Sequence, residues 1–290
     1  MNPLRVADPD RHRADVTAEM ARHGWDEPLW YETTAEDPGA GVTAKALAEG
    51  VDVVFASGGD GTVRGCAEGL MGTGVPLAIL PAGTGNLLAR NLGMPTALPE
   101  AVRVGVAGRT RAIDLGVLDG RPFVVMAGIG LDAAMADSTS EDAKNRIGWL
   151  AYVSGVVKHI TDRPFRVTLR LDGRTTIRRR AVMVLVGNVG RLQGGLELLP
   201  EARPDDGLLD ILILAPRTPT DWLHVAWHVL TRSRRHDRRA ERYTASRALI
   251  TVDPPVLHEC DGDPIGHATT MSVETRPKAL LLRTPRGTES

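Results

Sequence analysis

The sequence predicts an α/β domain with a doubly wound parallel sheet over residues 1–115, followed by an antiparallel β-sandwich domain over residues 116–290. Three observations predict it. Strand and helix patterns alternate up to Asp114. Beyond that point short strands of alternating polarity take over. Within the first part, two apolar runs, Val51–Ala56 and Val75–Leu80, each lead into a glycine-rich turn and then a helical pattern. That repeat is the βαβ rhythm of a parallel sheet covered on both faces.

In chain order, Arg11–His23 and Val42–Ala48 read as helices, with apolar residues at helical spacing. Strand Asp52–Ala56, helix Thr62–Met71, strand Pro76–Leu80, and helices Leu87–Leu92 and Leu98–Val106 follow. After the boundary, strands are predicted at Phe123–Ile129, Phe165–Leu171, Ile177–Val186, Leu208–Leu214, Ala248–Val252 and Ala279–Arg283. Helical insertions are predicted at Asp142–Ile160 and Pro219–Leu230, and the tail beyond Thr284 is expected to fray. A cleft between two such domains is the natural place for an active site.

Composition narrows the classes. A chain of 290 residues with 42% hydrophobic content and a net charge of -1 has enough apolar residues for two cores and no global drive toward nucleic acid. Cys66 and Cys260 offer neither a disulfide framework nor a zinc spacing, which fits a reducing cytoplasm. The N-terminal stretch Met1–Asp15 is charged and lacks a signal-peptide core, and no run reaches the ~18 apolar residues of a membrane span. No Gly-Lys pair occurs, which excludes a Walker A loop. Gly128-Ile129-Gly130-Leu131-Asp132-Ala133 fits a dinucleotide fingerprint in form, but no acid stands ~20 residues beyond it, so it reads as a turn.

The turn Ser57-Gly58-Gly59-Asp60-Gly61-Thr62 carries the most chemistry. Glycines there let successive backbone N–H groups converge on phosphate oxygens, and a following helix adds its positive end. Asp60 would repel phosphates unless it holds Mg²⁺ or orients a loop amide. Taken alone, the motif reads first as an ordinary tight strand-to-helix turn, and a second element is needed to shift that balance. The second turn, Pro81-Ala82-Gly83-Thr84-Gly85-Asn86, lies one βα unit further on, and in an open parallel sheet both turns fall at the same carboxyl edge.

These two motifs, in this order, resemble the catalytic domain of the diacylglycerol kinase family of lipid kinases, its soluble bacterial branch above all. NAD kinases and phosphofructokinases share the first motif but not the second, and a fold of their type is implied for the first domain. Asn2-Pro3, the run from Gly194-Gly195 through Pro200 to Asp205-Asp206-Gly207-Leu208-Leu209-Asp210, and Asp261-Gly262-Asp263 fit the family in sequence order. The resemblance implies ATP as phosphoryl donor, held by Asn2, Thr34 (or Thr33), Gly58, Gly59, Asp60, Gly61, Thr62 and Thr84. It implies Mg²⁺ on the Asp206 side chain and the backbone carbonyls of Arg203 and Leu208. It implies Asp263 as the proton acceptor, with Asp261 as the alternative base or metal partner. The expected acceptor is a lipid hydroxyl, foremost diacylglycerol, giving phosphatidic acid; the alternatives are phosphatidylglycerol, a sphingoid base, or an NAD kinase-like soluble substrate.

The chain departs from the family at three places. Asp263 stands where Glu is usual. Val63-Arg64 replaces an apolar residue followed by Asn, and Arg64 reads equally as a phosphate contact or a helix-surface residue. Asn2-Pro3 comes where a first strand should already have ended, so that strand is expected to be missing from these 290 residues. A lipid substrate requires the protein to visit the bilayer. Trp222, Trp227 and the arginines 232, 234, 235, 238, 239 and 242 are the expected peripheral contact at the inner face of the membrane, against the alternative of a packed helix and a solvated loop. Nucleic acid is not expected as a partner, because no aromatic residues interleave the arginines to stack bases. A homodimer is left open.

Overall fold

The computed structural model describes residues 1–130, 164–192, 197–218, 220–222, 224–225 and 237–287. It divides into two compact units: Met1–Leu115 with Pro277–Ser290, and Gly116–Arg276. The expected second domain of residues 116–290 therefore loses its last 14 residues, 277–290, to the first unit. The chain returns because one long strand, Asp263–Thr284, runs through both units.

The first unit begins with helix α1 (Pro9–Arg22). Pro9 opens it at a position where a missing N–H costs nothing, and the Asp8 carboxylate accepts from the Arg11 amide at 3.0 Å. Helix α2 (Ala40–Ala48), strand β1 (Val54–Gly58), helix α3 (Asp60–Leu70), strand β2 (Leu77–Pro81), helix α4 (Leu87–Asn91) and helix α5 (Leu98–Ala107) follow. β1 and β2 pair in parallel with Val54 opposite Leu77, and Leu282 of the returning strand pairs in parallel with Leu77. Val16 and Met20 of α1 pack with Ala101, Val102 and Val106 of α5 over Leu80, closing one apolar face. α2 and α3 approach closely where Gly65 meets Pro38 and Gly39; a Cβ on Gly65 would lie 2.7 Å from the Pro38 carbonyl carbon. Arg283 donates to the Gly105 and Val106 carbonyls at 2.8 and 3.1 Å, capping the C-terminus of α5 from the last strand.

At the head of the chain, the Met1 amine donates to the Tyr31 carbonyl at 2.7 Å and the Thr33 amide donates to the Met1 carbonyl at 3.0 Å. The Asn2 amide donates to the Ser57 carbonyl at 2.8 Å. Two residues thus bridge the segment before α2 and the strand β1. A cavity of about 310 Å³ lies beside them, lined by Trp25, Trp30, Val54 and Phe55 among others.

In the second unit, strand β3 (Arg109–Leu118), which starts in the first unit, pairs with β4 (Arg121–Phe123). β5 (Met126–Ile129), β6 (Phe165–Leu171), β7 (Thr175–Ala181), β8 (Met183–Gly187), β9 (Leu209–Leu214), β10 (Ala240–Ala245), β11 (Arg247–Cys260) and β12 (Asp263–Thr284) complete it. β11 is the shared strand. Its first half pairs antiparallel with β6 and its last three residues pair with β5, with register shifts between them. β5, β8, β9 and β10 continue one sheet; β6 and β7 continue the other. Val167, Leu169, Ile250 and Met271 meet Val184, Val186, Ile211 and Ile213 in a single buried core. This is the predicted antiparallel sandwich.

Two expected strands are each divided. Phe123–Ile129 breaks into β4 and β5, because the amides of Val124, Val125 and Met126 turn onto the Asp261 carboxylate. Ile177–Val186 breaks at Val182, where the chain leaves β6 as partner and joins β5 and β9. β3 and β10 are not among the strands the sequence predicts, as Arg-Thr-Arg and Glu-Arg carry no clear apolar alternation. The expected helix 142–160 and residues 219, 223 and 226–230 of the expected helix 219–230 lie outside the described residues.

Candidate functional site

Both glycine-rich turns form at the ends of parallel strands, and they touch. Gly58 ends β1 and Gly59 caps α3, which starts at Asp60, two residues before the predicted start. A Cβ on Gly83 would stand 2.5 Å from the Gly59 Cα, and one on Gly58 would stand 2.5 Å from the Thr62 hydroxyl. Only bare backbone fits there. Gly61, by contrast, faces open space, with nothing within 4 Å of an added Cβ. The first N–H groups of α3 have no partner within the helix, and that end carries partial positive charge.

Asp60 orients loop amides, one of the two roles open to it. Its Oδ1 accepts from the Leu87 amide at 2.6 Å and the Leu88 amide at 3.4 Å, fixing the start of α4. Burial pushes its carboxyl above the ordinary value, and these amide bonds pull it back. Gly85 is needed beside it, since a Cβ there would come 2.9 Å from Asp60 Oδ2. Asn86 braces the second turn: it sits at φ 47°, its Oδ1 accepts from the Gly83 amide at 3.0 Å, and its Nδ2 donates to the Gly83 carbonyl at 2.6 Å. Sequence reasoning did not single out Asn86, although the motif that contains it was in view.

Asn2 joins the same group, with Nδ2 donating to the Thr62 hydroxyl at 3.3 Å. Thr84 is exposed at the tip of the second turn. Thr34 is exposed as well, and its hydroxyl accepts from the Asp37 amide at 3.1 Å in a tight turn leading to α2. The neighbouring Thr33 is buried. Arg64 is half-buried on α3.

The other candidates lie in the second unit. Asp261 and Gly262 form the two-residue turn between β11 and β12, both with positive φ (49° and 89°), and Cys260 pairs with Asp263 across it. The Asp261 carboxylate accepts from the amides of Val124, Val125 and Met126, each at 2.9 Å. Its lone pairs are committed to holding a loop. Asp263, two residues on, is exposed.

Asp206 is exposed and its Oδ1 accepts from the Leu208 amide at 3.0 Å, with Gly207 at φ 77° between them. Arg203 is exposed and Leu208 half-buried in the same turn. Among the described residues, no cluster of three or more His, Cys, Asp or Glu side chains is arranged for a metal ion. One carboxylate with carbonyl oxygens is nevertheless a donor set suited to a hard cation. Next to it, burial pushes the Asp210 carboxyl up to about 6, and the charges of Asp206 and Glu201 add to the effect. A cation at this turn would offset that negative charge, so the residues fit Mg²⁺. Gly194 and Gly195 lie outside the described residues.

The expected membrane segment is only partly described. Trp222 is buried, Arg239 pairs with Asp221 at 2.5 Å and with Asp237 at 3.4 Å, and Arg242 is half-buried with Nε donating to the Leu198 carbonyl at 3.4 Å. Those three residues are internal ties, and Arg238 is exposed. Trp227, Arg232, Arg234 and Arg235 lie outside the described residues. No described helix is long and apolar enough to cross a membrane.

Comparison with known proteins agrees with this geometry. Residues 10–118 match the diacylglycerol kinase catalytic domain, and residues 124–284 match the YegS C-terminal NAD kinase beta sandwich-like domain. A diacylglycerol kinase of Mycobacterium tuberculosis (strain ATCC 25618 / H37Rv) is 35% identical over 255 residues, covering 84% of this chain and 80% of that protein. An uncharacterized Synechocystis protein is 29% identical over 242 residues; the match covers 82% of this chain but only 56% of that relative. The crystal structure of a diacylglycerol kinase from Bacillus anthracis str. Sterne shares the fold, with a TM-score of 0.77 at 24% identity, covering 98% of this chain and 94% of that one. With glycine turns in contact at the ends of β1 and β2, an antiparallel sandwich in the second unit and matches along most of its length, this chain belongs to the diacylglycerol kinase and YegS-like family of lipid kinases.

Proposed function

We propose that this protein transfers the γ-phosphoryl group of ATP to the hydroxyl of diacylglycerol, yielding phosphatidic acid. The observation that carries this reading is the contact of Gly59 with Gly83, locked by Asp60 on the amides of Leu87 and Leu88. It leaves open space at Gly61 beside the amides at the start of α3, which supports a phosphate-binding role for this turn. Thr62, steadied by Asn2, and the exposed Thr84 supply hydroxyls at the same loops. Asp263 accepts the proton of the attacking hydroxyl; it is exposed, whereas Asp261 is committed to three amides. Asp206, with the carbonyls of Arg203 and Leu208, would hold Mg²⁺, which when bound supplies positive charge to the acidic turn around Asp210. Phosphoryl transfer needs little from the protein beyond positioning and charge stabilisation, and these residues offer both.

The name of the mycobacterial relative supports diacylglycerol as acceptor. The test is transfer of label from γ-labelled ATP to a panel of diacylglycerol, phosphatidylglycerol, a sphingoid base and NAD, the lipids being presented in detergent micelles. Labelled phosphatidic acid supports the reading. Labelling of NAD alone would replace it with a soluble-substrate kinase.

A further inference from the structure

The outward face of the β6–β7 hairpin is a ribbon of arginine. Along β6 the side chains alternate, with Phe165, Val167, Leu169 and Leu171 buried and Arg166 and Arg170 exposed. β7 carries Arg178 and Arg180 exposed, and among the described residues it pairs with β6 alone, as a sheet edge does. The register places Arg180 directly opposite Arg166 and Arg178 opposite Thr168. Side chains directly opposite on neighbouring strands share a face, so Arg166, Arg170, Arg178 and Arg180 form one surface. Two like charges in direct register are unfavourable. An ordinary edge needs only scattered charge to resist sheet-to-sheet association, and this one concentrates four cations.

Little on that face compensates them. Asp253 on β11, opposite Arg166, approaches it at 3.6 Å with both side chains exposed. Arg179, the intervening residue of β7, pairs with the buried Glu241 on the other side of the strand. Beyond β7, Arg178 and Arg180 border a groove of about 1350 Å³ whose lining mixes Arg217 and Arg238 with the carboxylates of Asp221, Asp237 and Glu241, so the excess of positive charge belongs to the strand face and not to the groove. The whole chain has a net charge of -1, so this face is a local segregation of positive charge and not a reflection of overall composition.

We infer that this arginine face docks on an anionic phospholipid bilayer, with phosphate groups seated between the opposed guanidiniums. Guanidinium forks match phosphate oxygens in paired hydrogen bonds, and an anion between Arg166 and Arg180 relieves their repulsion. The ribbon is two strands wide, open and nearly without apolar side chains, which suits a charged plane. Leu249, 37% exposed on β11 opposite Arg170, adds an apolar contact at its margin. Nucleic acid is disfavoured because these strand positions carry no exposed aromatic ring for bases to stack on. The inference rests on the lipid-kinase reading for its partner, and it assigns the contact to residues other than the arginines 232–242.

The experiment is co-sedimentation of the full chain with phosphatidylcholine vesicles, with and without phosphatidylglycerol, at low and moderate salt. The wild type should bind only the anionic vesicles, and less as salt rises. Replacing Arg166, Arg170, Arg178 and Arg180 by Gln should weaken the partition by about fivefold per residue. The thermal midpoint should hold or rise, because a repulsion is removed. Asp253→Asn should strengthen binding. Turnover on micellar diacylglycerol should not change in the fourfold variant; its absence in the wild type would count against the kinase reading and leave the docking result standing. Unchanged vesicle binding in the fourfold variant, no binding by the wild type, or preferred binding of single-stranded DNA would each overturn the inference.

Discussion

The two aspartates of the β11–β12 turn show how two positions along the chain separate structure from chemistry. Asp261 accepts three backbone N–H bonds, and Asp263 stands exposed at the start of β12. Asp261→Ala should cost about 2–4 kcal/mol of stability, since it strands amides that now have an anionic partner. Asp263→Asn should leave the thermal midpoint near wild type and lower kcat by ~10²–10⁴, with little change in the Michaelis constant for ATP. A pair of denaturation curves and a rate measurement separate the roles; reversed phenotypes would exchange them. The turn itself was legible in the sequence, and its division of labour was not, because only the fold brings Val124–Met126 beneath Asp261. Asp210 supplies a pH prediction. Its folded-state carboxyl is raised to about 6, so between its ordinary acidic value and pH 6 the folded state binds more protons than the unfolded one. Stability from this group therefore falls as pH rises through that window and is fully restored below it. In chelator, Asp210→Asn should be more stable than wild type at pH 8, by up to about 2 kcal/mol, and should lose that advantage near pH 4. An advantage that does not change with pH would contradict it.

At the scale of elements, the glycine turns were read from residue type alone, and their strand–turn–helix setting followed from the apolar runs that precede them. Contact between them was beyond the sequence, because it depends on β1 and β2 pairing with Gly58 opposite Pro81. That contact makes Gly83 a sharp test. A methyl group placed 2.5 Å from backbone has no flexible neighbour to displace, so Gly83→Ala must push the two loops apart. It should lower stability by about 1–3 kcal/mol and weaken ATP binding more than lipid binding. Calorimetry with ATP and its unhydrolysed analogue measures the effect, and wild-type affinity would show that the loops do not share a ligand. The strands missed in the second unit fail for a physical reason. β3 opens with Arg-Thr-Arg and β10 reads Ala-Glu-Arg-Tyr-Thr-Ala, where long polar side chains keep their heads in water or pair beneath the sheet, as Arg179 and Glu241 do. β6, with strict alternation of buried and exposed residues, was read end to end.

Taken whole, the molecule assembles its first unit from both ends of the chain. Leu282 extends the parallel sheet beyond β2, and Arg283 caps α5, so a chain ended at Arg276 should lose the first unit. Limited proteolysis should then degrade residues 1–115 ahead of the sandwich; equal resistance in the two forms would deny residues 277–287 that role. Sequence reading placed these residues in the sandwich, because a single 22-residue strand serving two units has no local signature in composition. The central claim is that the locked glycine turns bind ATP for transfer to a lipid hydroxyl. Its most direct measurement is the formation of labelled phosphatidic acid from γ-labelled ATP and micellar diacylglycerol, by wild type and by Asp60→Ala. The account predicts product with the wild type, and with Asp60→Ala a loss of turnover in a protein that still folds, because the amides of Leu87 and Leu88 lose their anchor. Equal product from both proteins, or none from the wild type with any lipid acceptor, would contradict it.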